Sequence, residues 1–141
     1  MTETKMAKAI TICEVGLRDG LQNEKTILTT EQKVDLVNKM SDAGFKVIEV
    51  GSFMSPKAVP QMANTDEVFK AMTRKPGVQY RALIPNERGV ERAIACGCEK
   101  VKLNVSASVA HNIANLNMTP AESVAGFGAC VEKAKAAGIG I

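Results

Sequence analysis

Glu14-Val15-Gly16-Leu17-Arg18-Asp19-Gly20-Leu21-Gln22-Asn23-Glu24 follows a short β-like run, Ala9-Ile10-Thr11-Ile12-Cys13. It places an Arg-Asp pair between two glycines at the point where the run ends. Loops accept polar groups that a packed strand would leave without partners, so a strand opening into such a loop suits a site. The aspartate offers hard oxygens to a divalent ion, and the arginine offers a rigid fork of donors to an oxyanion. The residues alone also allow a surface ion pair that stabilises a turn, with Asp19 capping it beside Gly20.

Working outward, strand-like and helix-like segments alternate. Strand one is Ala9 to Val15. Helix one begins at Thr29 or Thr30, where Thr29 and Gln32 have capping-box spacing, and Gly44 stops it. Strand two is Lys46 to Val50. Helix two runs from about Asn64 to the Lys75-Pro76-Gly77 breaker, and strand three is Val78 to Ile84. Asn86 caps helix three, which ends near Gly97, and strand four is Lys100 to Val105. Ser106 to Asn117 reads as a loop holding the sole histidine, His111. Thr119, Pro120 and Glu122 then open helix four, and Ile139-Gly140-Ile141 resembles the start of a fifth strand.

Strands alternating with helices imply a parallel sheet with right-handed crossovers. Two α/β architectures fit: an open doubly wound sheet, or βα repeats forming about half of a TIM barrel. A closed barrel needs about 250 residues, and this chain has 141. Pattern alone favours the open sheet, which is complete at this length.

Composition narrows the partners. The net charge of +3 is small and the lysines are interspersed with acids, which argues against nucleic acid as main partner. One Tyr, four Phe and no Trp supply few stacking platforms. No run approaches the ~18 apolar residues of a membrane span. Residues 1–8 are polar without a signal-like apolar core, so a cytoplasmic location is expected. Cys13, Cys96, Cys98 and Cys130 lack zinc-site spacing and read as buried reduced thiols.

Glu49 is the next candidate. In a strand, Val47, Glu49 and Gly51 share one face and Ile48 and Val50 the other. If the β-branched pair faces the helices, Glu49 points to the opposite side, where a buried carboxylate needs a cation or water.

Three blocks carry a resemblance: the loop quoted first; Val47-Ile48-Glu49 with Ser52-Phe53-Met54-Ser55-Pro56-Lys57 and Val59-Pro60-Gln61-Met62; and Ile84-Pro85-Asn86. The chain resembles the N-terminal half of the 3-hydroxy-3-methylglutaryl-CoA (HMG-CoA) lyase family, from about Ile10 onward. The resemblance implies one partial TIM-barrel domain over 1–141, interrupted at the start of strand five. It implies cleavage of HMG-CoA to acetyl-CoA and acetoacetate. It assigns Asp19 to a Mg²⁺ or Mn²⁺ site and Arg18 to the enolate oxygen formed in carbon–carbon cleavage. Glu49 matches the family's catalytic-site glutamate, and Lys25 and Lys57 are weak candidates for the coenzyme A phosphates.

The family's His-x-His pair, asparagine and catalytic cysteine belong to its second half. The metal site is therefore expected to be incomplete and the chain inactive alone, with either a homo-oligomer or a C-terminal half as partner. The alternatives are a related Claisen-type synthase or aldolase half, or a non-catalytic half barrel that self-associates. Two departures stand out: Leu17 replaces a usual proline, and the His111 segment lacks the usual aromatic and basic residues.

Overall fold

The computed structural model describes residues 9–141. The polar start, Met1 to Lys8, lies outside the described residues. Four parallel strands, β1 (Cys13–Glu14), β2 (Val47–Ser52), β3 (Gln79–Leu83) and β4 (Lys100–Lys102), lie side by side in chain order. Five α-helices connect or follow them: α1 (Thr30–Asp42), α2 (Thr65–Ala71), α3 (Glu87–Ala95), α4 (Val109–Leu116) and α5 (Pro120–Ala136).

The strand order decides between the two architectures. A doubly wound sheet reverses direction at a switch point and so carries helices on both faces. Here the order never reverses, and right-handed crossovers taken always in one direction put the helices on one face. That is a singly wound sheet, the arrangement of a βα barrel opened halfway round. The open doubly wound sheet is therefore excluded. Gly140 continues the sequence of strands, since it pairs in parallel with Lys100 and donates to the Glu99 carbonyl at 2.9 Å.

The core lies between the sheet and its helices. Ile48, Val50, Tyr80, Ala82, Ile84 and Val101 meet Val37, Phe69, Val90, Ala93 and Ala134, all nearly inaccessible. The Tyr80 hydroxyl keeps its polar end paired, with Ser41 Oγ at 2.9 Å and the Lys75 N–H donating at 3.0 Å.

Local signals set most helix starts. Thr29 with Gln32, and Thr119 with Glu122, form full capping boxes, and the Asn86 side chain accepts from the Gly89 N–H. Asn64 precedes α2, but its side chain makes no cap bond to it. Its Oδ1 instead accepts from the buried Lys33 at 2.5 Å, and its amide donates to Thr30 Oγ1 at 3.1 Å. Lys33 also donates to the Gln61 carbonyl, and Gln61 Nε2 donates to the Glu24 carbonyl at 2.9 Å. The loop after β2 is thus tied to the loop after β1 through the Gln61 amide, and to α1 through a buried ammonium.

Two further differences concern the strands. The first strand shrinks to Cys13–Glu14, because β2 is its one neighbour among the described residues and Ile10 and Ile12 stay exposed. In β2 the register slips between Glu49 and Gly51, a bulge at Val50. Glu49 stands opposite Arg81, but Gly51 is turned to the helix side and Ser52 to the inner side opposite Leu83. A Cβ on Gly51 would lie 2.6 Å from Thr65 Oγ1, which accounts for glycine there. Gly51 therefore does not share the face of Glu49 as simple alternation predicts.

Candidate active site

The loop after β1 is built to turn Arg18 over the mouth of the sheet. Gly16–Gly20 forms one turn of π-helix, with the Arg18 and Asp19 amides both donating to the Val15 carbonyl at 3.0 and 2.7 Å. Glu14 Oε1 accepts from the Gly16 N–H at 2.6 Å, and a side chain at Gly16 would collide with that carboxylate. Leu17 is 1% exposed and plugs into the core cluster. Leu17 thus anchors the loop by burial, leaving Arg18 to point back across the strand ends.

Arg18 Nε donates to Glu49 Oε1, and Arg18 Nη1 to Asp19 Oδ1 at 2.7 Å. Glu49 is fully buried, while the Asp19 side chain is 62% exposed at the rim. Two more cations reach Glu49. Lys102 Nζ stands 2.7 Å from Oε2, close as an ion pair but outside hydrogen-bond geometry, and Arg81 Nε is 3.5 Å from the same oxygen. The carboxylate is thus compensated by three cations from three separate elements, the condition under which a buried charge is tolerated.

Above this cluster a cleft of about 830 Å³ opens between the ends of β3 and β4 and the helices α4 and α5. Arg18 and Asp19 line one end, Leu83 and Asn86 the floor, and His111 and Phe127 the far side. His111 belongs to a helix rather than to a loop. Ser108 caps α4, and His111 Nε2 pairs with Asn115 Nδ2 at 2.9 Å, one turn further on. The buried Asn112 holds that helix in place, accepting from the Ser106 N–H at 2.9 Å and donating to Met118 O and Ser123 Oγ at 2.9 and 2.8 Å.

Among the candidate residues, the structure brings Arg18, Asp19 and Glu49 together at the carboxyl ends of the strands. It does not bring Lys25 or Lys57 with them: both are exposed and neither lines the cleft. Lys57 lies in the segment held by its own turn bonds after β2, and Lys25 lies beyond the π-turn. Arg81 and Lys102 escape a reading of the sequence, because they occupy the polar positions of ordinary alternating strands. The register with β2 is what turns them toward Glu49.

Asp19 offers one carboxylate to a divalent ion. Mg²⁺ takes about six ligands and Ca²⁺-like hard ions more, and among the described residues no three His, Cys, Asp or Glu side chains converge on one point. The described residues therefore do not by themselves fit such an ion. The thiols take no part: Cys96, Cys98 and Cys130 are buried and Cys13 half-buried, all free. Burial pushes the Cys98 thiol from its ordinary value near 9.0 up to about 12.

A parallel, singly wound sheet with a charged cluster at the carboxyl ends of its strands defines a βα-barrel enzyme segment. The HMGL-like family profile matches residues 9–141, and the chain belongs to that family. The mitochondrial hydroxymethylglutaryl-CoA lyase of Macaca fascicularis is 44% identical over 136 residues, 96% of this chain and 42% of that protein. The 3-hydroxy-3-isohexenylglutaryl-CoA/hydroxymethylglutaryl-CoA lyase of Pseudomonas aeruginosa is 44% identical over 130 residues, 92% of this chain and 43% of that protein.

Among solved structures, the HMG-CoA lyase of Bacillus subtilis superposes with a TM-score of 0.90 at 39% identity, covering 94% of this chain and 45% of that one. An HMG-CoA lyase from Acinetobacter baumannii, in complex with coenzyme A and 3-methylmalate, gives 0.85 at 45% identity, covering 89% and 41%. The chain therefore spans less than half the length of the relatives it matches. Among the described residues, no helix is long and apolar enough to cross a membrane.

Proposed function

We propose that this chain supplies the Arg18–Asp19–Glu49 part of a lyase site that cleaves 3-hydroxy-3-methylglutaryl-CoA to acetyl-CoA and acetoacetate. The observation that carries the reading is the anchoring of Arg18 through Nε to a buried glutamate. That contact fixes the guanidinium at the strand ends while its remaining face stays available to the cleft.

Cleavage next to a thioester carbonyl builds negative charge on that oxygen as the enolate forms. A guanidinium already held in place stabilises that charge more in the transition state than in the ground state, without having to reorganise. Glu49 acts here by positioning Arg18. The acyl group, on this reading, lies toward Arg18 and the coenzyme A arm toward the part of the cleft lined by Phe127. On this reading Asp19 is one ligand of a Mg²⁺ or Mn²⁺ site, and the other ligands, with the proton-transfer residue, come from a further segment of protein. The chain by itself then does not turn over.

Acetyl-CoA release from HMG-CoA tests this, measured with Mg²⁺ or Mn²⁺ for the chain alone and mixed with the separately produced C-terminal portion of the Pseudomonas aeruginosa lyase. The expected result is turnover in the mixture alone, lost in both Arg18→Gln and Asp19→Ala. Turnover insensitive to Arg18→Gln would overturn the assignment.

A further inference from the structure

The cluster around Glu49 holds more positive charge than that carboxylate balances. Arg18 occupies Oε1, while Lys102 and Arg81 share Oε2. The Arg81 Nε–H is buried and has no hydrogen-bond partner among the described residues. The Lys102 and Arg81 side chains are only 27% and 24% exposed, so water screens them incompletely. Lys100 stands beside Arg81 in the β3–β4 register and adds a cation to the same face. Two cations on one carboxylate oxygen leave an attraction for a second anion. Neither side chain lines the cleft, but both keep partial exposure on the inner face beside Leu83, which does line it and which the register sets between Ser52 and Lys102.

We propose that Arg81 and Lys102 form a carboxylate-binding subsite that takes the free carboxylate of a dicarboxylic acyl thioester. Guanidinium donors match a planar carboxylate, and the ammonium adds a point charge. The thioester end then points toward Arg18, and an acyl chain without a second carboxylate gains nothing from the pair. The identity of the thioester rests on the lyase reading. The subsite itself does not, because its ligand is any small organic carboxylate of the right reach.

The monomethyl ester of 3-hydroxy-3-methylglutarate imitates such a thioester, with one free carboxylate and one neutral end. Calorimetric titration of the purified chain with this half ester is expected to show binding that weakens as NaCl rises. Lys102→Met and Arg81→Met each weaken it by about tenfold or more, as loss of a charge-assisted contact requires. Lys102→Arg keeps most of it, and Lys39→Met, on the exposed face of α1, leaves it unchanged. The neutral dimethyl ester does not bind.

In the wild-type chain the Lys102 Cε resonance shifts during the titration, a readout that survives any failure of a variant to fold. A half ester that leaves this resonance unmoved, or binds Lys102→Met and Arg81→Met as it binds wild type, overturns the subsite. Absent turnover in the mixture with the C-terminal portion, with intact half-ester binding, overturns the lyase reading instead.

Discussion

At Glu49, a single side chain receives contacts from the loop after β1, from β3 and from β4. Glu49→Ala leaves Arg81 and Lys102 without their counter-charge and Arg18 with only the exposed Asp19. Breaking a buried pair by removing one partner costs about 3–5 kcal/mol, and the lower end applies here because two of the cations are partly exposed. We expect a loss of about 3 kcal/mol in urea unfolding. A loss below about 1 kcal/mol, the range of surface pairs, would show that water already screens the cluster. Asp19→Ala, at the exposed rim, is expected to change stability by less than about 0.5 kcal/mol. The two carboxylates of this site thus separate into one that holds the structure and one that is free to serve a ligand. The sequence places Asp19 in a glycine-flanked loop and Glu49 between isoleucine and valine in a strand, but not the cations that reach Glu49 from β3 and β4.

The elements show which signals are local. The capping boxes at Thr29 and Thr119 and the Asn86 cap are legible because a side chain and a backbone amide three residues apart decide them. Helix α4 was not legible. Its span carries Asn112 and Asn115 and ends at Asn117 in the left-handed region. Asparagine competes for backbone hydrogen bonds and reads as turn chemistry. What makes the segment helical is the tertiary clamp from Asn112 to Ser106, Met118 and Ser123, with Ser108 as its cap. The Ser108 signal three residues before His111 was present but weak beside the asparagines. Asn112→Ala removes all three bonds and is expected to cost about 2–3 kcal/mol. Amide exchange should accelerate across Val109–Leu116 before the rest of the chain. Unchanged protection there would show that α4 is held by its apolar contacts instead.

For the whole molecule, the thiols give the alkaline behaviour. Burial raises the Cys98 thiol to about 12, with Cys96 and Cys130 also shifted upward, chiefly by burial. A raised value means the folded state holds the proton longer than the unfolded one. The stability from Cys98 is therefore complete below about pH 9 and is lost as pH rises toward 12. Lys33 has the opposite sign, since burial lowers its pKa. The difference between wild type and Cys98→Ala isolates the thiol, and above pH 9 it should shrink by about 1.4 kcal/mol per pH unit. A pH-independent difference would mean that Cys98 is solvated in the folded chain.

Among the described residues, the β1 edge and the partly exposed inner face also bear on assembly. Ile10 is 82% and Ile12 61% exposed beside the β1 edge, a surface that invites association. The inner face carries Arg81, Lys100 and Lys102, so two copies meeting face to face bring like charges together. We expect light scattering to give a mass above 15.0 kDa that grows with salt, as screening relieves the repulsion. A constant 15.0 kDa across concentration and salt would count against self-association.

The sequence alone determined the alternation of strands and helices, three of the helix starts, the residues at the strand ends and the family resemblance. Each rests on neighbours a few positions apart or on a motif read directly. Only the tertiary structure decided that the sheet winds one way, that a bulge at Val50 turns Gly51 from the face of Glu49, and that Arg81 and Lys102 reach that carboxylate. Strand order and register join residues about thirty to fifty positions apart, and the period-two pattern of a strand is the same whichever neighbour it finds.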